Sequence, residues 1–241
     1  MVLVTSKRFA EYIDIGEPVS MATIFQSQAA DELLFVDIDA SREGRTELLL
    51  DIVRKAAEKI FMPITVGGGV NSIDDFRDLL LAGADKICIN TAAVQTPGFI
   101  TKAAEMFGRQ CVVVSIDYKT GNNGRQMVCT HCGTVDTDKD AFEWAIESQK
   151  LGAGEILLTS IDRDGSREGL DIKFIRKVCA ALNIPIIASG GCGLAQHFVD
   201  GYIEGGVDAV SAGTFFCFKD ENLMQTRSQI KNAGVPIRLN T

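Results

Sequence analysis

The sequence predicts a single (β/α)₈ (TIM) barrel domain over residues 1–241, built from two similar half-barrels, with its first strand atypical or missing. Three observations carry this expectation. Short apolar runs alternate with helical patterns along nearly the whole chain, the rhythm of βα units. The runs are apolar at successive positions, as strands covered on both faces of a parallel sheet must be. The second half of the chain repeats the first in order.

The strands expected are 33–37, 64–67, 86–90, 111–117, 156–160, 185–189 and 208–212. Helical patterns lie between them, near 46–60, 72–82, 97–107, 140–151, 171–182, 194–204 and 220–232. Pro97 and Asp140 read as helix starts, and Gly83, Gly108, Gly152 and Gly205 as stops. Asn123-Gly124, between Tyr118-Lys119 and Met127-Val128, reads as a hairpin turn that extends the fifth strand. No linker or low-complexity tract divides the chain.

The repeat is colinear. Asp37-Ile-Asp39-Ala-Ser41-Arg42-Glu43-Gly44 returns as Asp162-Arg-Asp164-Gly-Ser166-Arg167-Glu168-Gly169. Pro63 returns as Pro185, Gly68-Gly69 as Gly190-Gly191, Asp85 as Asp208 and Thr91 as Thr214. A unit of half the chain is too long for a solenoid, whose repeats span about 20–50 residues. A doubly wound open sheet would share one switch-point site between its halves rather than duplicate it. Two four-stranded halves closing into one barrel fit better.

Composition narrows the function classes. A net charge of −8 argues against nucleic-acid binding, which needs basic clusters. No stretch approaches the ~20 apolar residues of a membrane span, and the first residues lack a signal-peptide pattern, so a cytoplasmic location is expected. The seven cysteines are odd in number and scattered, which suits a reducing compartment. Cys129-Thr-His131-Cys132 is the one cluster, and without a second Cys/His pair no metal site is expected. No cofactor is expected either.

The repeated elements follow strands, where barrels build their sites. Gly68 and Gly69 after one strand, and Gly190 and Gly191 after its repeat, would let backbone N–H groups approach an anion. Asn90-Thr91 and Gly213-Thr214, one strand further on, would complete two phosphate cradles on opposite sides of the mouth. The ligand would be a small molecule with a phosphate at each end. Carboxylates at strand ends are acid–base candidates: Asp117 foremost, with Asp37, Asp39, Asp162 and Asp164 open to either a catalytic or a loop-capping role. Glu32, Lys86 and Glu155 sit at strand starts, which puts paired charges at the bottom of the barrel. His131, His197 and Trp144 read as packing or surface residues.

These residues together resemble the cyclase subunit of imidazole glycerol phosphate synthase, of histidine biosynthesis. The resemblance is carried by Asp31-Glu32-Leu33, Thr65-Val-Gly-Gly-Gly69, Gly83-Ala-Asp-Lys86, Ile89-Asn-Thr-Ala-Ala93 and Cys111-Val-Val-Val-Ser-Ile-Asp117. The run Gly152 to Gly165, ending Asp162-Arg-Asp164-Gly165, and Ile187-Ala-Ser-Gly-Gly191 complete it. The resemblance implies an ammonia-dependent cyclase/lyase that splits and cyclises a bisphosphate into imidazole glycerol phosphate and an aminoimidazole carboxamide ribotide. It implies a glutaminase partner that delivers ammonia through the barrel. By it Asp117 is a catalytic aspartate and Asp164 lies on the substrate loop. Gly69, Asn90 and Thr91 hold one phosphate, and Gly191, Gly213 and Thr214 surround the other. Glu32, Lys86 and Glu155 match three of the four residues of an ammonia gate.

The family's first strand carries a further catalytic aspartate, whose position would precede Met1 here. The sequence therefore leaves open an improvised first strand from Val2-Leu3-Val4, a shortened frame, or a paralogue. Such a paralogue would dock a glutaminase with weak or no cyclase activity, for instance in cell-surface sugar amidation. The related sugar isomerase, which shares the barrel and the bisphosphate, is disfavoured by the three gate residues and by the Asp-Arg-Asp-Gly run.

Overall fold

Strand residues in this chain alternate between two apolar environments, and that alternation builds the molecule. The computed structural model describes residues 2–40, 47–122, 124–218 and 222–238. After a hairpin of β1 (Leu3–Lys7) and β2 (Glu11–Gly16) comes α1 (Pro18–Ser27), and then the barrel rhythm begins. It runs β3 (Leu33–Val36), α2 (Glu47–Ala57), β4 (Ile64–Gly67), α3 (Ile73–Leu81), β5 (Lys86–Ile89), α4 (Thr91–Gln95), α5 (Gly98–Phe107) and β6 (Val112–Thr120). A second hairpin follows, β7 (Gln126–Thr130) and β8 (Val135–Asp140), then α6 (Ala141–Leu151) and β9 (Glu155–Ser160). The chain ends with α7 (Ile172–Cys179), β10 (Ile186–Ser189), α8 (Ala195–Asp200), β11 (Ala209–Ser211), α9 (Thr214–Phe218) and α10 (Leu223–Asn232).

Seven parallel strands form the curled sheet in the order β11-β10-β9-β6-β5-β4-β3. All seven expected strands are present. The Asn123-Gly124 hairpin is present as the β6–β7 antiparallel pair, although Asn123 itself lies outside the described residues. Of the alternatives left open for the first strand, one improvised from Val2-Leu3-Val4 does not join the barrel: β1 pairs antiparallel with β2 in a separate two-stranded sheet. Among the described residues no strand bridges β3 and β11. Five further elements had not been expected: β2, α1, β8 and the short helices α4 and α9. Helix α1 does carry a start signal, since Glu17 accepts from the N–H groups of Val19 and Ser20 at 3.0 and 2.7 Å and Pro18 occupies the first turn.

Side chains at alternate strand positions point outward to the helices or inward to the axis. The outward set, including Val66, Ile87, Val112, Val114, Ile116, Ile156, Leu158 and Ala188, is buried against the helical layer. The inward set falls into layers. Glu32, Lys86 and Glu155 lie at the bottom with Thr65, and Leu34, Cys88, Val113, Leu157 and Ile187 pack in the middle. Ser115, Asp117, Thr159 and Ser189 line the mouth. The apolar middle layer and the outward set both read as apolar in sequence, which is why the runs look continuous. Each fully buried Val, Ile or Leu contributes roughly 1.5–3 kcal/mol.

The internal repeat is visible as duplicated contacts. Asp85 accepts from the Ile64 N–H at 2.8 Å and donates its own N–H to Ile64 O, also at 2.8 Å. Asp208 makes the same two bonds to Ile186, at 2.9 and 3.1 Å. Leu33 N–H donates to Pro63 O and Ile156 N–H to Pro185 O, both at 3.0 Å. Gly68 (φ +103°) packs on the Asp37 backbone, and Gly190 (φ +89°) packs on that of Ser160. A Cβ at either would stand 2.3 or 2.4 Å from a carbonyl oxygen, so only glycine fits there.

Candidate active site

The mouth of the sheet holds a cavity of about 250 Å³. Gly68, Gly69, Asn90, Thr91, Asp117 and Asp164 all line it, together with Ser115, Thr159 and Ser189. The N-terminal hairpin closes one side with Ser6, Phe9 and Tyr12.

Asp117 ends the inward row Val113-Ser115-Asp117 of β6. Asn90 Nδ2 donates to its Oδ2 at 2.8 Å and Ser115 Oγ to its Oδ1 at 3.1 Å, and Thr159 adds a third bond. Burial pushes the Asp117 carboxyl up to about 6; the donors from Asn90 and Ser115 oppose that rise, and the nearby Asp164 carboxylate adds to it. Such a group exchanges protons readily near neutral pH. Asp164 enters from the loop after β9. Its carboxyl is also raised by burial, against the Ser6 hydroxyl, which donates to its Oδ2 at 2.6 Å. The Arg8 N–H donates to the Asp164 carbonyl at 3.0 Å, so the hairpin is tied to this loop by both side chain and backbone. Two carboxyls in unequal surroundings thus face one cavity, which suits a proton donor and a proton acceptor.

Asn90 was expected to hold phosphate. Its amide bridges Asp117 and the carbonyl of Cys129, at 2.8 and 3.1 Å, while its Oδ1 has no partner. The Thr91 hydroxyl accepts from the His131 N–H at 3.0 Å and keeps its own proton for a ligand. Gly68 and Gly69 lead into α3, whose start is closed by a reciprocal Ser72–Asp75 cap.

The second set is less gathered. Gly190 and Gly191 turn sharply after β10 but do not line this cavity. Gly213 lines a different cavity, and the Thr214 hydroxyl is hydrogen-bonded to that of Thr5. His197 accepts from the Gly193 N–H through Nδ1 at 3.1 Å, an internal role as expected.

The loop carboxylates that had been left open have structural roles in part. Asp37 Oδ1 accepts from the N–H groups of Asp39 and Ala40 at 3.0 and 3.1 Å, and Asp162 accepts from Thr120 at 2.8 Å. Trp144 is buried in the core. Cys129 donates to Asp136 at 3.3 Å, and His131 and Cys132 form the tight β7–β8 turn with positive φ.

At the opposite end, Lys86 Nζ lies 2.9 Å from Glu32 Oε2 and 2.8 Å from Glu155 Oε1, and Thr65 hydrogen-bonds Glu32. Burial alone would lower the Lys86 pKa, but its bonds to Glu155 and Glu32 outweigh burial and hold it above the ordinary value. The three expected gate residues therefore form one ion-paired cluster on the axis.

A family model described as "Histidine biosynthesis protein" matches residues 1–222. The chain belongs to that family. An imidazole glycerol phosphate synthase subunit HisF of Clostridium botulinum (strain Kyoto / Type A2) is 47% identical over 238 residues, which cover 98% of this chain and 94% of the relative. The same-named protein of Clostridium botulinum (strain Langeland / NCTC 10281 / Type F) is 46% identical with the same coverage. Among the described residues of this family member, no helix is long and apolar enough to cross a membrane.

Ser115, Thr159 and Ser6 are site residues that the sequence reading missed. Ser115 was legible, lying two positions before Asp117 on the same strand face. Nothing local marks Ser6, whose partner is Asp164.

Proposed function

We propose that this chain is the ammonia-dependent cyclase/lyase subunit of imidazole glycerol phosphate synthase, with Asp117 and Asp164 as its acid–base pair. The observation that carries the reading is the single cavity in which both carboxyls meet the Gly68-Gly69 turn and Thr91. One phosphate of the bisphosphate would rest on Gly68, Gly69 and Thr91, and the other near Gly190, Gly191, Gly213 and Thr214. Asn90 then serves chiefly to orient Asp117. Asp117 in its ionised form takes a proton as ammonia adds and the ring closes, and Asp164 returns one to the departing ribotide. Ammonia from a glutaminase partner would enter past Glu32, Lys86 and Glu155 and cross the apolar middle layer, which repels ions but passes a small neutral molecule.

The test is steady-state turnover of the bisphosphate with ammonium salts, following both products. Formation of imidazole glycerol phosphate with an equal amount of the ribotide supports the reading. Tight bisphosphate binding without either product would overturn it.

A further inference from the structure

We propose that Ser115 is a positioning residue for Asp117: its hydroxyl holds Oδ1 while Asn90 holds Oδ2, and this two-point grip turns the carboxyl towards the ligand. The inference rests on the reading of Asp117 as the base. Ser115 and Asp117 lie two positions apart on the inward face of β6, and Ser115 is only 8% exposed. Ser115 Oγ stands 3.1 Å from Oδ1, and Asn90 Nδ2 stands 2.8 Å from Oδ2. The backbone beneath them is fixed on both sides. Strand β6 is hydrogen-bonded to β5 and to β9, and the outward Tyr118 packs on Phe174 with 4.8 Å between ring centroids.

A carboxylate held by one oxygen still turns about its Cβ–Cγ bond, which is a soft torsion. The Asn90 amide is itself anchored, since it also donates to the Cys129 carbonyl at 3.1 Å, but it grips a single oxygen. Ser115 removes the freedom that remains. An ionised carboxyl offers about four acceptor sites. Asn90, Ser115 and Thr159 take three of them, which leaves one for a proton brought by the ligand. The direction of the Ser115 bond is set from behind. Cys88 on β5 is hydrogen-bonded to Ser115, and burial, with the Asp117 carboxylate adding to it, pushes the thiol up to about 12. The thiol therefore keeps its proton at neutral pH and offers it to Ser115 Oγ, and the hydroxyl proton goes to Asp117. No other group facing Asp117 can take this place. Asp164 is a second carboxyl, burial and the bond to Asp136 push Cys129 on β7 up to about 12, and Lys119 is paired with Asp136 at 3.4 Å.

The test compares the full chain with Ser115→Ala and Ser115→Thr by two readouts. The first is side-chain carboxyl NMR of the Asp-labelled protein without substrate, with the Asp117 signal assigned by its loss in Asp117→Asn. Removing a donor to the ionised form should move the Asp117 midpoint in Ser115→Ala up by about one pH unit. The second is bisphosphate turnover with ammonium salts against pH, with rates expressed per concentration of free ammonia. The rising limb should move up with the carboxyl, kcat on the plateau should fall about three- to tenfold, and KM should change little. Ser115→Thr keeps the hydroxyl and should restore both midpoints. If the alanine variant fails to fold, Ser115→Cys keeps the volume with a weaker donor and should give the same upward movement, only smaller. An unmoved carboxyl midpoint, a threonine variant displaced as far as alanine, or an equal loss of rate at every pH would overturn the proposal. Parent-level turnover in Asp117→Asn would instead remove Asp117 from the base role, and the carboxyl titration would still decide whether Ser115 holds it.

Discussion

Asp117 stands where two demands conflict: it must be ionised to accept a proton, yet burial opposes the charge. Its folded pKa of about 6 lies above the ordinary 3.8, so the folded state binds the proton more tightly than the unfolded chain. The stability this gives is fully present below the unfolded value and is lost as pH rises through about 6. Asp117→Asn should therefore gain stability over the parent at pH 7.5, by at most about 3 kcal/mol given the opening to the cavity, with the difference fading near pH 4. Denaturation at the two pH values checks this. The same variant should lose about 10²–10⁴-fold in turnover while keeping bisphosphate affinity. In the parent, turnover should climb with pH through about 6, and a flat profile would remove Asp117 from the base role. Ser6→Ala deletes the 2.6 Å donor to Asp164, so the Asp164 carboxyl should titrate higher, as followed by side-chain carboxyl NMR. Ser6→Thr should restore it.

At the scale of elements, the two halves are held by matching devices. Asp85 and Asp208 each clamp the backbone of the preceding strand, at Ile64 and Ile186. Asp85→Ala or Asp208→Ala removes the acceptor for one strand N–H, and each should cost about 1–3 kcal/mol in urea unfolding. The sites lie in opposite halves, so the double variant should be close to additive. A large departure from additivity would mean that the two half-barrels share strain rather than respond as separate units. The elements the sequence failed to announce are instructive in the same way. Strand β8, Val135–Asp140, is largely polar and exists because it pairs with β7. Helix α9 is a single turn that finds its packing partners only after the chain has folded, with the Phe215 ring tilted against that of Phe198 at 5.1 Å between centroids.

For the whole molecule, the chemistry at the mouth and the ion cluster at the bottom are separated by the apolar layer of Cys88, Val113 and Leu157. Lys86→Met would leave the Glu32 and Glu155 carboxylates facing each other without a counter-charge. These side chains are 18–31% exposed, between a surface and a buried pair, so a stability loss of about 1–3 kcal/mol is expected. Glu32→Gln in the same chain should recover part of it. Turnover with ammonium salts should change little in Lys86→Met. Turnover fed by glutamine through the partner should fall severalfold, because ammonia then has to pass the altered cluster. Equal losses in both assays would assign Lys86 to stability alone.

The sequence by itself determined the strand–helix rhythm, the two-fold repeat, part of the mouth (Gly68, Gly69, Asn90, Thr91, Asp117 and Asp164) and the charges at the bottom. These depend on local spacing and on positions that recur: glycine where only positive φ fits, a carboxylate at a strand end, a charge at a strand start. Only the tertiary structure decided three other matters. Val2-Leu3-Val4 has strand-forming residues, but β1 joins β2 rather than the barrel, and partner choice is not encoded in one strand's composition. That Asn90, a phosphate candidate, also donates to Asp117 follows from β5 and β6 lying side by side. The outer edges of β3 and β11, which pair with no strand among the described residues, belong to no single segment. They arise because hydrogen bonding between strands is a property of pairs, and a pair is defined only once the chain has folded.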